Sequence, residues 1–276
     1  MGTKRLDGRV AVVTGASRGI GRAIAELFAD EEAKTVVNYI ASEKKAETVA
    51  DRIINKGGEA ISVQADVSKS ADVKRMVEAI LQNYGRIDIL VNNAGILVTK
   101  DLLETTEKEW DDTIDINLKG AYLLSKEVAP AMLKQKQGKI INISSNSGLY
   151  HPSSMRFTEY VVSKAGMNGL TKALALRLGP YITVNAICPG WIKTEMVEET
   201  DPEVERSILE ETALKRYRTS RGTVRPRKWP PRRSFWPRMR LTSSQESFSS
   251  WPAAGECIKD CTFLRLSRCL FAAGII

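Results

Sequence analysis

The chain is poor in the residues that build metal centres and disulfide frameworks. It holds 1 histidine, His151, and 4 cysteines in 276 residues, and three of the cysteines (Cys257, Cys261 and Cys269) sit near the C-terminal end. No zinc-ligand spacing and no paired framework emerge, so no metal site is expected. No apolar run approaches the ~20 residues of a membrane span. The opening MGTKRLDGRV has no apolar signal core. Both points favour the cytoplasm. Most of the chain also lacks a dominant charge. The net charge is +8, yet from Glu211 onward there are 14 Lys+Arg against 4 Asp+Glu. The body is close to neutral and the basicity belongs to the tail.

What is present begins with VAVVTGASRGIG, residues 10–21. Four apolar residues, Val10, Ala11, Val12 and Val13, read as a strand buried on both faces. Thr14 and the glycines Gly15, Gly19 and Gly21 follow. Ile20, Ala23, Ile24 and Phe28 then recur at helical spacing. Strand, glycine turn and helix form the context in which such glycines carry meaning. They let the backbone approach a pyrophosphate, and the helix start offers free N–H groups to an anion. Further strands are expected at 35–40, 60–64, 87–91, 139–143 and 182–187. Helices are expected between them at 42–56 and 71–84, with Ser70 as a cap, then from about Trp110 toward Met132, and at 160–178. This alternation predicts an α/β fold, a doubly wound parallel sheet of Rossmann-like type in a single domain. Ligands then belong at the carboxyl ends of the strands.

The chemistry is carried by Tyr160 and Lys164, four apart in YVVSK. On a helix they share one face, one turn apart. An ammonium beside a phenol is expected to lower the pKa of the phenol and ready it for proton transfer. Ser145 closes the preceding strand and can steady a carbonyl oxygen. Asn117 comes from a neighbouring helix.

Together these pieces resemble the short-chain dehydrogenase/reductases. The matching segments are TGASRGIG, Asp66, NNAG (Asn92, Asn93, Ala94, Gly95), Asn117, Ser145, YVVSK and PGWIKT, and they cover roughly residues 4–216. The resemblance implies a general acid/base at Tyr160. It implies that Lys164 lowers that pKa and holds the nicotinamide ribose, that Ser145 binds the substrate oxygen, and that Asn117 holds a water in a proton relay. Ser145 rather than Ser144 fits the family's S-x-x-G spacing, with Ser144 as the fallback. A cofactor would lie along Gly15, Ser17, Arg18, Gly19, Ile20 and Gly21. Asp66 and Val67 would meet adenine, and Asn92, Asn93, Ala94 and Gly95 the adenosine half. Pro189, Gly190, Ile192 and Thr194 would lie by the nicotinamide.

The phosphate preference follows from a missing carboxylate. The second strand ends in Asn38-Tyr39-Ile40-Ala41-Ser42, without the acid that would bind a ribose diol. Arg18 in the glycine turn can reach a 2′-phosphate. NADP is therefore expected over NAD, with Asn38 at the cofactor. The style of the sequence is nearest to 3-oxoacyl-[acyl-carrier-protein] reductases, with glucose-type sugar dehydrogenases close behind. The substrate is then a small carbonyl or alcohol compound, carrier-bound in the first case. His151, Met155 and Phe157 are candidates for lining its pocket. The family also implies a homo-oligomer.

The pattern stops at about Arg216. Residues 217–276 form an Arg- and Pro-rich tail with Trp229-Pro230 and Trp236-Pro237, without the family's last helix and strand. Read one base out of register, each Trp-Pro pair encodes alanine, and the flanking codons permit a family-like ending. A frameshift upstream of Pro226 accounts for this composition, and stop codons in that frame would rule it out. Two other classes of function remain. One is a nucleotide-binding protein whose catalysis the altered tail has impaired. The other is a basic arm that binds nucleic acid, for which the out-of-frame origin leaves little need.

Overall fold

The computed structural model describes residues 4–149, 157–190, 192, 194–198 and 257–259. The proposed boundary at 216, the basic run behind it, His151 and Met155 lie outside the described residues. The elements are β1 (Val10–Val13), α1 (Gly19–Asp30), β2 (Lys34–Tyr39), α2 (Glu43–Asn55), β3 (Glu59–Gln64), α3 (Ser70–Tyr84) and β4 (Ile89–Asn92). They continue with α4 (Glu107–Ile114), α5 (Gly120–Lys134), β5 (Gly138–Ile143), α6 (Thr158–Leu178), β6 (Ile182–Cys188), α7 (Glu195–Glu198) and β7 (Cys257–Lys259). The sheet is parallel throughout, in the order β3-β2-β1-β4-β5-β6-β7.

The alternation along β1 shows why the sheet is covered on both sides. Ala11 and Val13 pack with Ile24 and Phe28 of α1 and Val49 and Ile53 of α2. Val10 and Val12 face the other way, toward Met76 and Ile80 of α3 and Leu124 and Met132 of α5. The sheet order reverses between β1 and β4, so the loops leaving these two strands diverge to opposite faces. A crevice opens at their carboxyl ends.

Five local features differ from the sequence reading. Ser70 is the first residue of α3 and Lys69 precedes it as the cap position. The long helix expected from Trp110 starts at Glu107, where Thr106 and Glu109 form a reciprocal capping box. It is also interrupted by a π-helical turn, Asp115–Lys119, which contains Asn117. Such turns reshape a helix locally and recur at functional sites. Three tail residues, β7, continue the sheet beside β6, where the sequence reading has no element. Cys188, at the end of β6, is disulfide-bonded, which the small number of cysteines does not foretell.

Candidate active site

A cleft of about 410 Å³ lies at the carboxyl ends of the strands. Gly15, Ser17, Arg18, Gly19 and Ile20 form one wall of it. Asn38, Asp66, Val67, Asn93, Ala94 and Gly95 line it further along, and Ser145, Tyr160, Lys164, Pro189, Gly190, Ile192 and Thr194 close it. The structure thus gathers residues from six different strand ends. Phe157 joins them and is buried.

The glycine turn is shaped by close backbone approach. A Cβ on Gly15 would sit 3.0 Å from Ala94 Cα, and Gly15 has φ of +59°. Gly21 lies behind the cleft wall, where a Cβ would be 2.5 Å from Asn93 Nδ2 and 2.6 Å from Gly15 O. Thr14 ties this turn to the next strand end. Its hydroxyl accepts from the N–H groups of Asn93 at 2.9 Å and Ala94 at 3.0 Å. Backbone of two loops is thereby held flat and free of side chains, the surface a pyrophosphate needs.

Two amides turn away from the cleft contents. Asn38 is buried. Its Oδ1 accepts from Gly15 N at 3.3 Å, and its Nδ2 donates to Val63 O at 3.3 Å and Ala65 O at 3.1 Å. This side chain staples the glycine turn to β2 and β3. Asn92 points into the core and donates to Asn142 Oδ1 at 2.8 Å and Ser125 Oγ at 3.2 Å. The expectation that Asn92 meets the adenosine half therefore gives way to a role inside the sheet. Asp66 keeps its place at the cleft, and its Oδ1 accepts from both Ser68 N–H at 2.9 Å and Ser68 Oγ at 2.7 Å.

The end of β5 grips the helix that carries the tyrosine. The Ser144 hydroxyl donates to the Lys164 carbonyl at 3.0 Å. The Lys164 ammonium donates to the Ile143 carbonyl at 2.8 Å. Ser145 accepts from Ser147 N at 3.1 Å, approaches Ser147 Oγ at 3.1 Å, and stands close enough to Tyr160 to pull the phenol's pKa down. The two adjacent serines thus divide the work. Ser144 is spent on helix backbone, and Ser145 reaches the phenol. Gly148 lets the turn after β5 press on α6, since a Cβ there would lie 2.4 Å from Lys164 C and 2.5 Å from Lys164 O. Gly148→Ala is expected to cost about 1–3 kcal/mol of stability through forced displacement of that backbone. A thermal unfolding midpoint equal to that of the parent would refute this.

Tyr160 and Lys164 share one side of α6, with Nζ 5.6 Å from the phenol ring centroid. Their titration differs from the simple expectation. Burial raises the phenol above its ordinary 10.0, and the Ser145 bond offsets only part of that. Burial also lowers the Lys164 ammonium from 10.5 to about 8. Tyr160 is therefore held as a neutral phenol, the state that a proton donor requires.

Asn117 stands behind the cleft and is fully buried. Its Oδ1 accepts from Ile96 N at 2.8 Å, and its Nδ2 donates to Ile96 O at 3.0 Å and Ser163 Oγ at 3.1 Å. The side chain clamps the loop after β4 to α6. Sequence reasoning missed Ser147 and the pair Glu195 and Met196, which also line the cleft. The sequence marks the segment after Thr194 only as a region that bears on the substrate, and the motif PGWIKT stops one residue short of Glu195, so neither residue stands out by itself.

The model of the short chain dehydrogenase family matches residues 9–205. A 3-oxoacyl-[acyl-carrier-protein] reductase of Staphylococcus epidermidis is 44% identical over 209 residues, 75% of this chain and 84% of that protein. A 3-oxoacyl-[acyl-carrier-protein] reductase of Synechocystis is 44% identical over 213 residues, 77% of this chain and 84% of that protein. Among solved structures, a gluconate 5-dehydrogenase from Burkholderia cenocepacia in complex with NADP and tartrate is 32% identical. It superposes with a TM-score of 0.71 over 79% of this chain and 85% of that one. Fold, cleft and relatives agree: the chain belongs to the short-chain dehydrogenase/reductase family and is an NAD(P)-dependent oxidoreductase.

Proposed function

We propose that the chain is an NADP-dependent reductase of 3-oxoacyl thioesters, producing the secondary alcohol. The observation that carries this is the joint one of a phenol held neutral beside Ser145 and a cleft in which β2 ends without a carboxylate while Arg18 lines the glycine turn. The two 3-oxoacyl-[acyl-carrier-protein] reductases at 44% identity support the thioester substrate. The neighbour in complex with NADP supports the cofactor. Gly15, Gly19 and Gly21 leave the flat cradle that a dinucleotide needs, and the residues present fit it. Asp66 and Val67 would hold the adenine, Arg18 the 2′-phosphate, and Ile192 and Thr194 the nicotinamide end. When bound, the dinucleotide supplies the hydride to the carbonyl carbon.

The chain's own residues do the rest. Ser145 donates to the substrate oxygen and fixes it against Tyr160. Tyr160 passes its proton to that oxygen as the alcohol forms. Lys164 stabilises the resulting phenolate by its charge. Asn117 sets the register between the loop after β4 and α6, and a proton-relay water beside it is part of the same proposal. A carrier-bound acyl chain enters past Phe157. A second copy of the chain is the proposed partner, because Tyr122 on α5 and Val162 and Leu176 on α6 are large apolar side chains left exposed. No helix among the described residues is long and apolar enough to cross a membrane.

The test follows NADPH consumption with an acetoacetyl thioester and, in separate assays, NADP+ reduction with gluconate and with glucose. Thioester turnover with NADPH faster than with NADH is expected. Arg18→Ala should raise the KM for NADPH about tenfold, the worth of one charge-assisted hydrogen bond, and leave NADH unaffected. Preference for a sugar, or an Arg18→Ala effect shared equally by NADH, would overturn the assignment.

A further inference from the structure

The segment after β6 crosses the glycine turn and brings a carboxylate with it. Thr194 Cβ lies 3.6 Å from the point where a Cβ on Gly19 would stand, and Glu195 Oε2 lies 3.9 Å from the same point. Gly19 is the first residue of α1. The cap residue Arg18 makes no side-chain cap bond, and the first turn of α1 holds no acidic residue. Arg22, in that first turn, pairs with Glu195 Oε1 at 3.8 Å. The carboxylate lines the same cleft as Gly15, Ser17 and Gly19. A negative charge brought from another part of the chain thus faces the helix start where a dinucleotide would place its phosphates.

We infer that Glu195 sets the affinity for the dinucleotide by competing with its pyrophosphate for the start of α1. This rests on the cofactor reading above. A helix N-terminus favours an anion, and one carboxylate satisfies part of that preference before any ligand arrives. A pyrophosphate entering beside it meets like charge a few ångströms away. It must either push Glu195 aside, breaking the pair with Arg22, or bind against the repulsion. Both routes lower affinity. Displacing Glu195 also moves Thr194 and Met196, its neighbours in the chain, so the same charge links filling of the phosphate turn to the placement of these two cleft-lining residues. The pyrophosphate is common to NAD and NADP, so Glu195 acts on both alike, whereas Arg18 acts on the 2′-phosphate.

The experiment is calorimetric titration of the full-length chain and of Glu195→Gln with NADP+ and with NAD+. The replacement keeps the shape and removes the charge. Repulsion between charges a few ångströms apart in a partly solvated cleft predicts about fivefold tighter binding by the variant. The factor should be the same for both dinucleotides and should shrink at high salt. An unchanged or weaker affinity in Glu195→Gln would overturn the inference and leave the cofactor reading intact. So would a gain confined to NADP+. Failure of both proteins to bind either dinucleotide would overturn the cofactor reading and this inference with it.

Discussion

Tyr160→Phe is expected to lower kcat by about a thousandfold, within the span that positioned proton transfer contributes, while dinucleotide affinity changes little. The substitution removes one oxygen and leaves the ring in place on α6. Ser145 loses its phenol partner but keeps its bond from Ser147 N, at 3.1 Å. The fold should therefore persist, and circular dichroism with a cofactor titration can confirm it in the same sample that is assayed. Carbonyl reduction needs a proton at the oxygen as well as electrons at the carbon. With the phenol gone, water would have to deliver that proton. Undiminished turnover by a folded Tyr160→Phe variant would remove the central residue from the mechanism proposed above. A loss of dinucleotide binding equal to the loss of turnover would instead make the tyrosine part of the binding surface.

The reach of the sequence was set by how local each signal is. The central strands β1 and β4 are written in runs of apolar residues, because burial on both faces of a parallel sheet demands such runs, while the edge strand β3 is only partly buried. The glycine turn is equally local, since each glycine answers a backbone approach such as Gly15 against Ala94. Tyr160, Lys164 and Ser145 were legible because residue type, spacing and strand end coincide. Ownership of a polar side chain is different. Asn38 and Asn92 stand at strand ends among cofactor-facing neighbours, and only the fold shows their amides spent on Val63, Ala65, Ser125 and Asn142. The π turn at Asn117 has no compositional mark, because it depends on how α4 and α5 are forced to meet α6. Titration also escaped. Charge proximity suggested an acidified phenol, but burial is the larger effect on both groups.

That desolvation makes Lys164 the second decisive residue. Lys164 is 4% exposed, and burial lowers its ammonium from 10.5 to about 8. Between those values the unfolded chain binds the extra proton, so stability gained from this site rises with pH from about 8 to about 10.5. Below about 8 the folded protein carries the full cost of a buried charge, roughly 3 kcal/mol for such a shift. A fold that keeps a cation where it costs stability keeps it for another reason. The role proposed above, stabilising a phenolate, is such a reason, and it needs the ammonium. Reduction should therefore weaken as pH rises through about 8. Lys164→Met, which leaves a similar volume and no charge, should lose turnover by at least about a hundredfold and lose that pH dependence. The Ile143 carbonyl forfeits its partner, a loss of about 1–3 kcal/mol, which offsets the relief of the buried charge. The variant should thus unfold near pH 7 at the parent's temperature or above it. A variant that is much less stable at pH 7 would show that the lysine holds the fold together, and its loss of turnover would then say nothing about the phenol.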